Sequence, residues 1–246
     1  MKSPVSLSVA MIASNEEGNL ARSLPAVKFA DEVIVVENDS TDRTVAVAES
    51  LGAKVITHPW EGYARQRNFS ISQCRGEWVL ILDADEVIPP ETAEEIRQAI
   101  KRDDIDGYNI SYRNFIGTRQ LKHGGWTPDW HLRLVRKRLA HFPPTNIHET
   151  IQDVERVGYL KNSIVHYTYR DVEDWLKKVD RYTDLEAPKR RFSLLRLLFK
   201  PPALFIRSYV GWSGWRNGWL GVVASGIGAW YGLQTELKRF RRRGHA

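Results

Sequence analysis

The sequence is short of sulfur, of long apolar runs and, near its end, of acids. It holds one cysteine, Cys74, and two methionines. A lone cysteine excludes an intrachain disulfide and fits a reducing compartment. No uninterrupted run reaches the roughly 20 apolar residues of a membrane-spanning helix. The charge-free stretch that opens at Asn217 is broken by glycines, Ser225 and Gln234, and residues 192–215 are broken by Arg196, Lys200 and Arg207. The opening MKSPVSLSVAMIAS has one lysine and a broken apolar run, so a first strand is expected there rather than an export signal. Acids nearly vanish after Pro188. Residues 189–246 carry 12 Lys and Arg against the single acid Glu236, a net of +11, whereas residues 1–188 carry 24 against 29, a net of −5. A mildly acidic body with a strongly basic tail points to an anionic partner for the tail, either nucleic acid or a membrane surface.

What is present is patterned. The chain has 246 residues, 42% of them hydrophobic, enough for one large domain or one domain with an appendage. VSLSVAMIA, DEVIVVEND, KVITHPW and EWVLILDAD are expected strands. Between them lie expected helices: SNEEGNLARSLPAV, capped by Ser14 or Asn15; STDRTVAVAESLG, capped by Ser or Thr and stopped by Gly52; and GYARQRNFSISQC. Apolar runs without strict alternation are expected where helices cover both faces of a parallel sheet. Ligands of such sheets bind at the carboxyl ends of the strands. The acids gather at those ends: Glu16, then Glu37 and Asp39, then Asp83 and Asp85. After Gly107 the pattern turns to mixed or antiparallel strands, YNISYRNFIG, WHLRLVRKR and GYLKNSIVHYTY, followed by an amphipathic helix, RDVEDWLKKVDRYTDLEA.

The stretch VLILDADEV raises the chemical question. Carboxylates this close repel one another unless something offsets the cost. A helix cap at Asp85 or Glu86 explains one acid of the three. A hard divalent ion such as Mg²⁺ or Mn²⁺, held by one or two carboxylates and by substrate phosphates, explains the pair. The stretch also fits the strand and Asp-x-Asp signature of haloacid dehalogenase-type phosphatases. Those enzymes carry that motif on the first strand of the domain, whereas three strand–helix units precede it here.

With VAMIASNEEGNL, VIVVENDSTDRTVAVAESLGAKV and GYARQRNFSISQCRGEWVLILDADE in view, the chain resembles the family 2 glycosyltransferases of the GT-A fold. GGWTPDWHLRLVRKRLAHFPPTNIHETI and the basic aromatic tail are similar to the subgroup that adds glucose to the inner core of bacterial lipopolysaccharide. The resemblance implies an α/β fold, a Rossmann-like and mostly parallel sheet flanked by helices. It also implies a UDP-sugar donor, UDP-glucose by subgroup, and inversion at the anomeric carbon. On the resemblance, Glu16 and Glu37 contact uracil and ribose, although the family usually has Asp where Glu37 stands. Arg65, Arg67 and Asn68 reach the nucleotide or diphosphate. Asp83 meets ribose or a metal-bound water, and Asp85 binds the Mg²⁺ or Mn²⁺ directly, with His148 as a further ligand or a structural histidine. Glu149 is the first choice for the base that takes the acceptor proton, and Asp129 the second. Arg133 and Arg136 are assigned to one face of their strand, serving the diphosphate or an anionic acceptor. Trp126 and Trp130 stack on sugar rings or pack in the core, and His166 is treated as structural.

The expected organisation is a catalytic domain over residues 1–188 and a basic, Trp-rich helical region over 189–246. That region is expected to lie in the membrane interface at the cytoplasmic face of a bacterial inner membrane. The alternative is a buried helical appendage or a homo-oligomer contact. Nucleic acid is not an expected partner, because the apolar run in the tail suits phosphate tracking poorly. The acceptor is expected to be a lipid-linked saccharide, the lipopolysaccharide inner core. A polyprenyl-phosphate, exopolysaccharide or protein acceptor is the alternative on the same fold. A membrane-tethered scaffold without catalysis is the alternative of another class.

Overall fold

In the computed structural model, residues 7–143 and 150–243 are described. The first half alternates strands and helices: β1 (Leu7–Ala13), α1 (Glu17–Ser23), β2 (Glu32–Glu37), α2 (Thr44–Ser50), β3 (Lys54–Thr57), α3 (Tyr63–Gln73) and β4 (Trp78–Asp83). Then come β5 (Glu86–Val87), α4 (Pro90–Ala99), β6 (Gly107–Ile116), β7 (Arg119–Leu121), β8 (Trp130–Arg136), β9 (Val157–Tyr159) and β10 (Ile164–Tyr169). Three helices follow: α5 (Val172–Glu186), α6 (Leu194–Ile206) and α7 (Trp219–Arg243). The strand order is β3-β2-β1-β4-β8-β6-β10-β5. The first four strands are parallel, and β8 joins β4 antiparallel with Trp78 opposite Arg136.

The apolar runs earn their lack of alternation. Val9, Met11, Trp78, Leu80 and Leu82 enter one core, while Ala10, Ile34, Val79 and Ile81 enter another on the opposite face. Both faces of β4 are therefore dry, as helices above and below a parallel sheet require. In β6 the code changes to period two. Tyr108, Ile110, Tyr112, Asn114 and Ile116 are buried and the residues between them are not. Gly52 ends α2 with φ +90°, a conformation that a side chain disfavours. The caps differ from expectation. Asn15 does not cap α1; its Oδ1 accepts from Thr41 N at 2.9 Å and ties the two loops together.

Gly76 makes the close approach that lets β4 lie beside β1. A Cβ there would sit 2.5 Å from Ser8 Oγ and 2.7 Å from Ser8 N. Because the obstacle includes backbone, Gly76→Ala is expected to cost about 1–3 kcal/mol, read as a lower urea midpoint at unchanged slope.

The chain forms two compact units, and their boundary is not at residue 188. The described residues up to Tyr112, together with Asp129–His166, form one; Arg113–Pro128 and the chain from Tyr167 onward form the other. The second unit has its own core, in which Ile116, Leu121, Trp175, Val179, Leu220, Ala224 and Ile227 pack together. Helix α5 belongs with α7 for that reason, so the tail is not an addition to a finished domain. Trp126 is part of this packing, edge-on to Trp175 at 5.5 Å, and is a core residue.

Candidate active site

The site lies in the first unit, where β1, β2 and β4 end. Antiparallel pairing brings the start of β8 to the same end. The loops after β1 and β2 are laced together. Glu16 N donates to Thr44 Oγ1 at 2.7 Å, and Ser14 Oγ donates to the Asn38 carbonyl at 2.9 Å. Glu16 Oε2 accepts from Asn19 Nδ2 at 2.6 Å. Glu37, the last residue of β2, is buried. Its carboxylate accepts from Thr57 Oγ1 at 2.6 Å across the β2–β3 pair and from Ser40 N at 3.3 Å. These bonds fix where Glu37 points.

At the end of β4 the acids fall into two classes. Asp83 is held by two guanidiniums, Arg67 Nη2 at 2.8 Å from Oδ1 and Arg133 Nη2 at 3.2 Å from Oδ2. Burial alone would raise its pKa, but Arg67 and then Arg133 outweigh burial and hold the carboxyl well below the usual range. Glu86, 1% exposed, bonds Arg133 at 3.2 Å and accepts from Asp83 N at 3.2 Å. Burial, aided by the neighbouring Asp83 and Asp85, pushes its pKa up against the pull of Arg133. Arg133 also donates from Nε to Tyr112 Oη at 2.5 Å. Asp85 is the second class: half-buried, with His166 Nε2 3.6 Å from Oδ2. Burial lowers the His166 pKa, but Asp85, Glu86 and Asp83 more than compensate, so it stands above the ordinary value. The Tyr112 ring lies between two imidazoles, with centroids 4.9 Å from His131 and 5.3 Å from His166. His131 Nε2 is 2.7 Å from Asp129 Oδ1.

Among the described residues no three His, Cys, Asp or Glu side chains converge into a closed metal site. Asp85 and His166 offer one oxygen and one nitrogen, close enough to share an ion whose remaining positions substrate oxygens would fill. The donor set therefore fits an open site and not a protein cage.

Several sequence assignments change. Arg136 lies opposite Trp78 at the amino end of β4, five residues from Asp83, which is roughly 16 Å along a strand. It stacks 4.7 Å over the Trp78 ring and bonds Glu77 and the Arg102 carbonyl, so it is structural. Between Arg136 and Arg133 the pairing of β8 with β6 shifts register, from Tyr108 opposite Leu134 to Asn109 opposite Leu132, and Arg133 is the extra residue of that bulge. Asn68 clamps Phe142, its Nδ2 donating to the carbonyl and its Oδ1 accepting from the amide, both at 2.8 Å, so its amide is committed to the backbone. Arg65 is not among those that change: it is exposed, with Glu61 3.7 Å away. Both oxygens of Asp83 are engaged by arginines, which sets it apart from Asp85 as a metal ligand. Glu86 forms β5 and does not start a helix. His148 and Glu149 lie outside the described residues. Tyr112 and His131 were not singled out from the sequence, and His166, expected to be structural, stands beside Asp85. The period-two alternation of β6 was a usable signal for Tyr112, because it places that residue inward with Ile110 and Asn114.

Comparison with known proteins agrees with this architecture. A sequence model described as Glycosyl transferase family 2 matches residues 8–154. An uncharacterized glycosyltransferase of Rickettsia typhi is 36% identical over 230 residues, 82% of this chain and 77% of that protein. The lipopolysaccharide core biosynthesis glycosyltransferase LpsC of Rhizobium meliloti is 28% identical over 254 residues, 96% of this chain and 92% of its own. The crystal structure of S. aureus TarS 1-349, solved also in complex with UDP, superposes with a TM-score of 0.53 at 17% identity, covering 98% of this chain and 92% of that one, and shows the same GT-A fold. With a family match over more than half of its length and relatives of this similarity over most of it, the chain belongs to glycosyl transferase family 2.

Proposed function

We propose that the enzyme transfers a sugar, glucose by subgroup, with inversion, from a UDP-sugar to a lipid-linked acceptor, the lipopolysaccharide inner core. The observation that carries the chemistry is the division of labour at the end of β4. Asp83 and Glu86 are engaged by arginines, while Asp85 is half-buried beside His166, 3.6 Å away, and is the carboxylate proposed to meet a ligand. The similarity to LpsC supports the acceptor, and the UDP bound by TarS supports the donor. Glu16, Glu37, Arg65 and Arg67 are the proposed donor contacts, with Glu37 aimed by Thr57. A divalent cation held by Asp85 and His166 would offset the charge of the diphosphate.

In the transfer, the acceptor oxygen forms a bond to the anomeric carbon as the bond to the β-phosphate oxygen breaks. The electron pair leaves with UDP, and the acceptor proton passes to a carboxylate. Asp129 is proposed for that proton on geometry, because it lies at the site end of β8 with His131 at 2.7 Å to orient it. Glu149 is proposed on the resemblance alone. Asp129→Asn is expected to lower turnover by about 10²–10⁴-fold at little change in KM. A full loss in Glu149→Gln beside normal turnover in Asp129→Asn moves the base to Glu149.

The acceptor is set at the cytoplasmic face of a bacterial inner membrane, and residues 189–246 are proposed to meet that membrane. The test is a panel of nucleotide sugars offered with truncated lipopolysaccharide, polyprenyl phosphate or a peptide, each with and without divalent cation. UDP release only with lipopolysaccharide and cation is the expected result. Release with another acceptor alone overturns the acceptor assignment.

A further inference from the structure

Helix α6 is almost wholly apolar in sequence, LLRLLFKPPALFI, yet it has no buried residue. One side rests on α7, where a Cβ added at Gly232 would meet Leu204 Cδ1 at 2.8 Å, so a small residue admits the close contact. The other side follows a three- and four-residue spacing through Leu195, Leu198, Pro202 and Ile206, with Phe199 beside them, and faces solvent. Leu195 is 68% exposed and Phe199 66%. The apolar exposure continues past the turn into Trp215 and Trp219, both 56% exposed. Scattered apolar residues on a surface need no explanation, but a continuous stripe of this kind marks a contact.

The charge around the stripe identifies its partner. Glu236 is the only acid after Pro188, and it is fully buried, 2.9 Å from Arg196 Nε and 2.5 Å from Arg239 Nη1. Residues 189–246 therefore present no side-chain carboxylate to solvent among the described residues, while Arg190, Arg191, Arg207 and Arg216 are exposed there. Arg207 lies 4.6 Å over the Trp212 ring, a cation and an aromatic in the pairing that suits a headgroup layer. A second copy of the same surface would set cations against cations. Among the described residues no helix is long and apolar enough to cross a membrane.

We infer that the outward face of α6, with Trp215 and Trp219, seats on an anionic lipid bilayer, the helix lying flat at the boundary between headgroups and acyl chains. This names the partner surface for the membrane association proposed above and rests on that reading, but its test needs no catalysis. Full-length protein is floated with phosphatidylcholine vesicles, with or without phosphatidylglycerol. Binding to the anionic vesicles, weakened by salt, and a blue shift of tryptophan emission are expected. Leu198→Ser with Phe199→Ser is expected to lower vesicle affinity by roughly 10-fold or more, from the apolar area withheld from the lipid. Arg191→Gln with Arg207→Gln is expected to lose about fivefold per charge on anionic vesicles only. Both positions of the first pair are solvent-exposed, so folding is retained, and Leu195→Ser serves as a second variant. UDP release with truncated lipopolysaccharide dispersed in detergent and divalent cation, with no bilayer present, stays at wild-type rate in these variants, which separates failure of docking from failure of the catalytic assignment. Equal binding to neutral and anionic vesicles overturns the inference, as does wild-type binding by the serine variants. A dimer that the serine pair dissolves, without vesicle binding, also overturns it and makes the face a self-interface.

Discussion

Asp85→Asn is expected to lower sugar transfer by about 10²–10³-fold, the usual cost of removing a group that stabilises charge developing in the reaction. Stability should barely change, because Asp85 is half-buried and its ion-pair partner is His166 at 3.6 Å. That separation of activity from stability distinguishes Asp85 from Asp83, whose loss would take a carboxylate from two largely buried guanidiniums. A second readout is the imidazole itself. Asp85 is the chief neighbour raising the His166 pKa against burial, so in Asp85→Asn the His166 titration followed by NMR should move down. Protonated imidazole has no lone pair for a cation. In the wild type, the demand for divalent ion should therefore steepen as pH falls through the raised His166 pKa, and this steepening should shift in the variant. Wild-type turnover by Asp85→Asn after metal removal would overturn the role.

How far the sequence foretold this depends on the distance over which each feature is encoded. The alternation from β1 to β4 was legible because each strand is a continuous apolar run and each connection is short. The runs 31–39 and 54–60 reappear as Glu32–Glu37, trimmed at both ends, and Lys54–Thr57, trimmed at its carboxyl end, where pairing stops. Strand β5 was not legible. It is two residues long and exists because His166 and Val165 of β10 pair with Glu86 and Val87. The same distance hid the role of Glu86, since its partner Arg133 is 47 residues away. The motif pointed to the acids at the end of β4, but only the structure shows that arginines engage Asp83 and Glu86 while Asp85 lies beside His166. Asn68 shows the converse, where a family position on α3 is occupied by a residue whose amide closes a backbone clamp 74 residues off.

Arg133→Met should be among the most destabilising single changes in the first unit, costing about 3–5 kcal/mol near neutral pH. The guanidinium is shared by Asp83, Glu86 and Tyr112, and methionine keeps much of the volume without the charge. Asp83 retains Arg67. Glu86 loses its principal counter-ion, and its pKa, already raised by burial, rises further. A carboxyl with a raised folded pKa favours the fold while protonated, fully so below its unfolded value of about 4.3, and loses that contribution as pH climbs through the folded value. Asp83 adds little to that pH trend. Its depressed pKa stabilises the wild type fully above the unfolded value of about 3.9 and loses that contribution only as pH falls through the lower folded value, so the part the variant forfeits is nearly constant from pH ~4 upward. The deficit of Arg133→Met should therefore be smallest near pH ~4 and widen toward neutrality, as measured by urea unfolding across pH. Adding Glu86→Gln supplies a neutral side chain that needs no counter-ion, so the double variant should recover much of the loss at neutral pH and little at acid pH. A pH-independent deficit, or two costs that simply add, would show that Arg133 holds the strands by packing and that the charge-sharing account of the site is wrong.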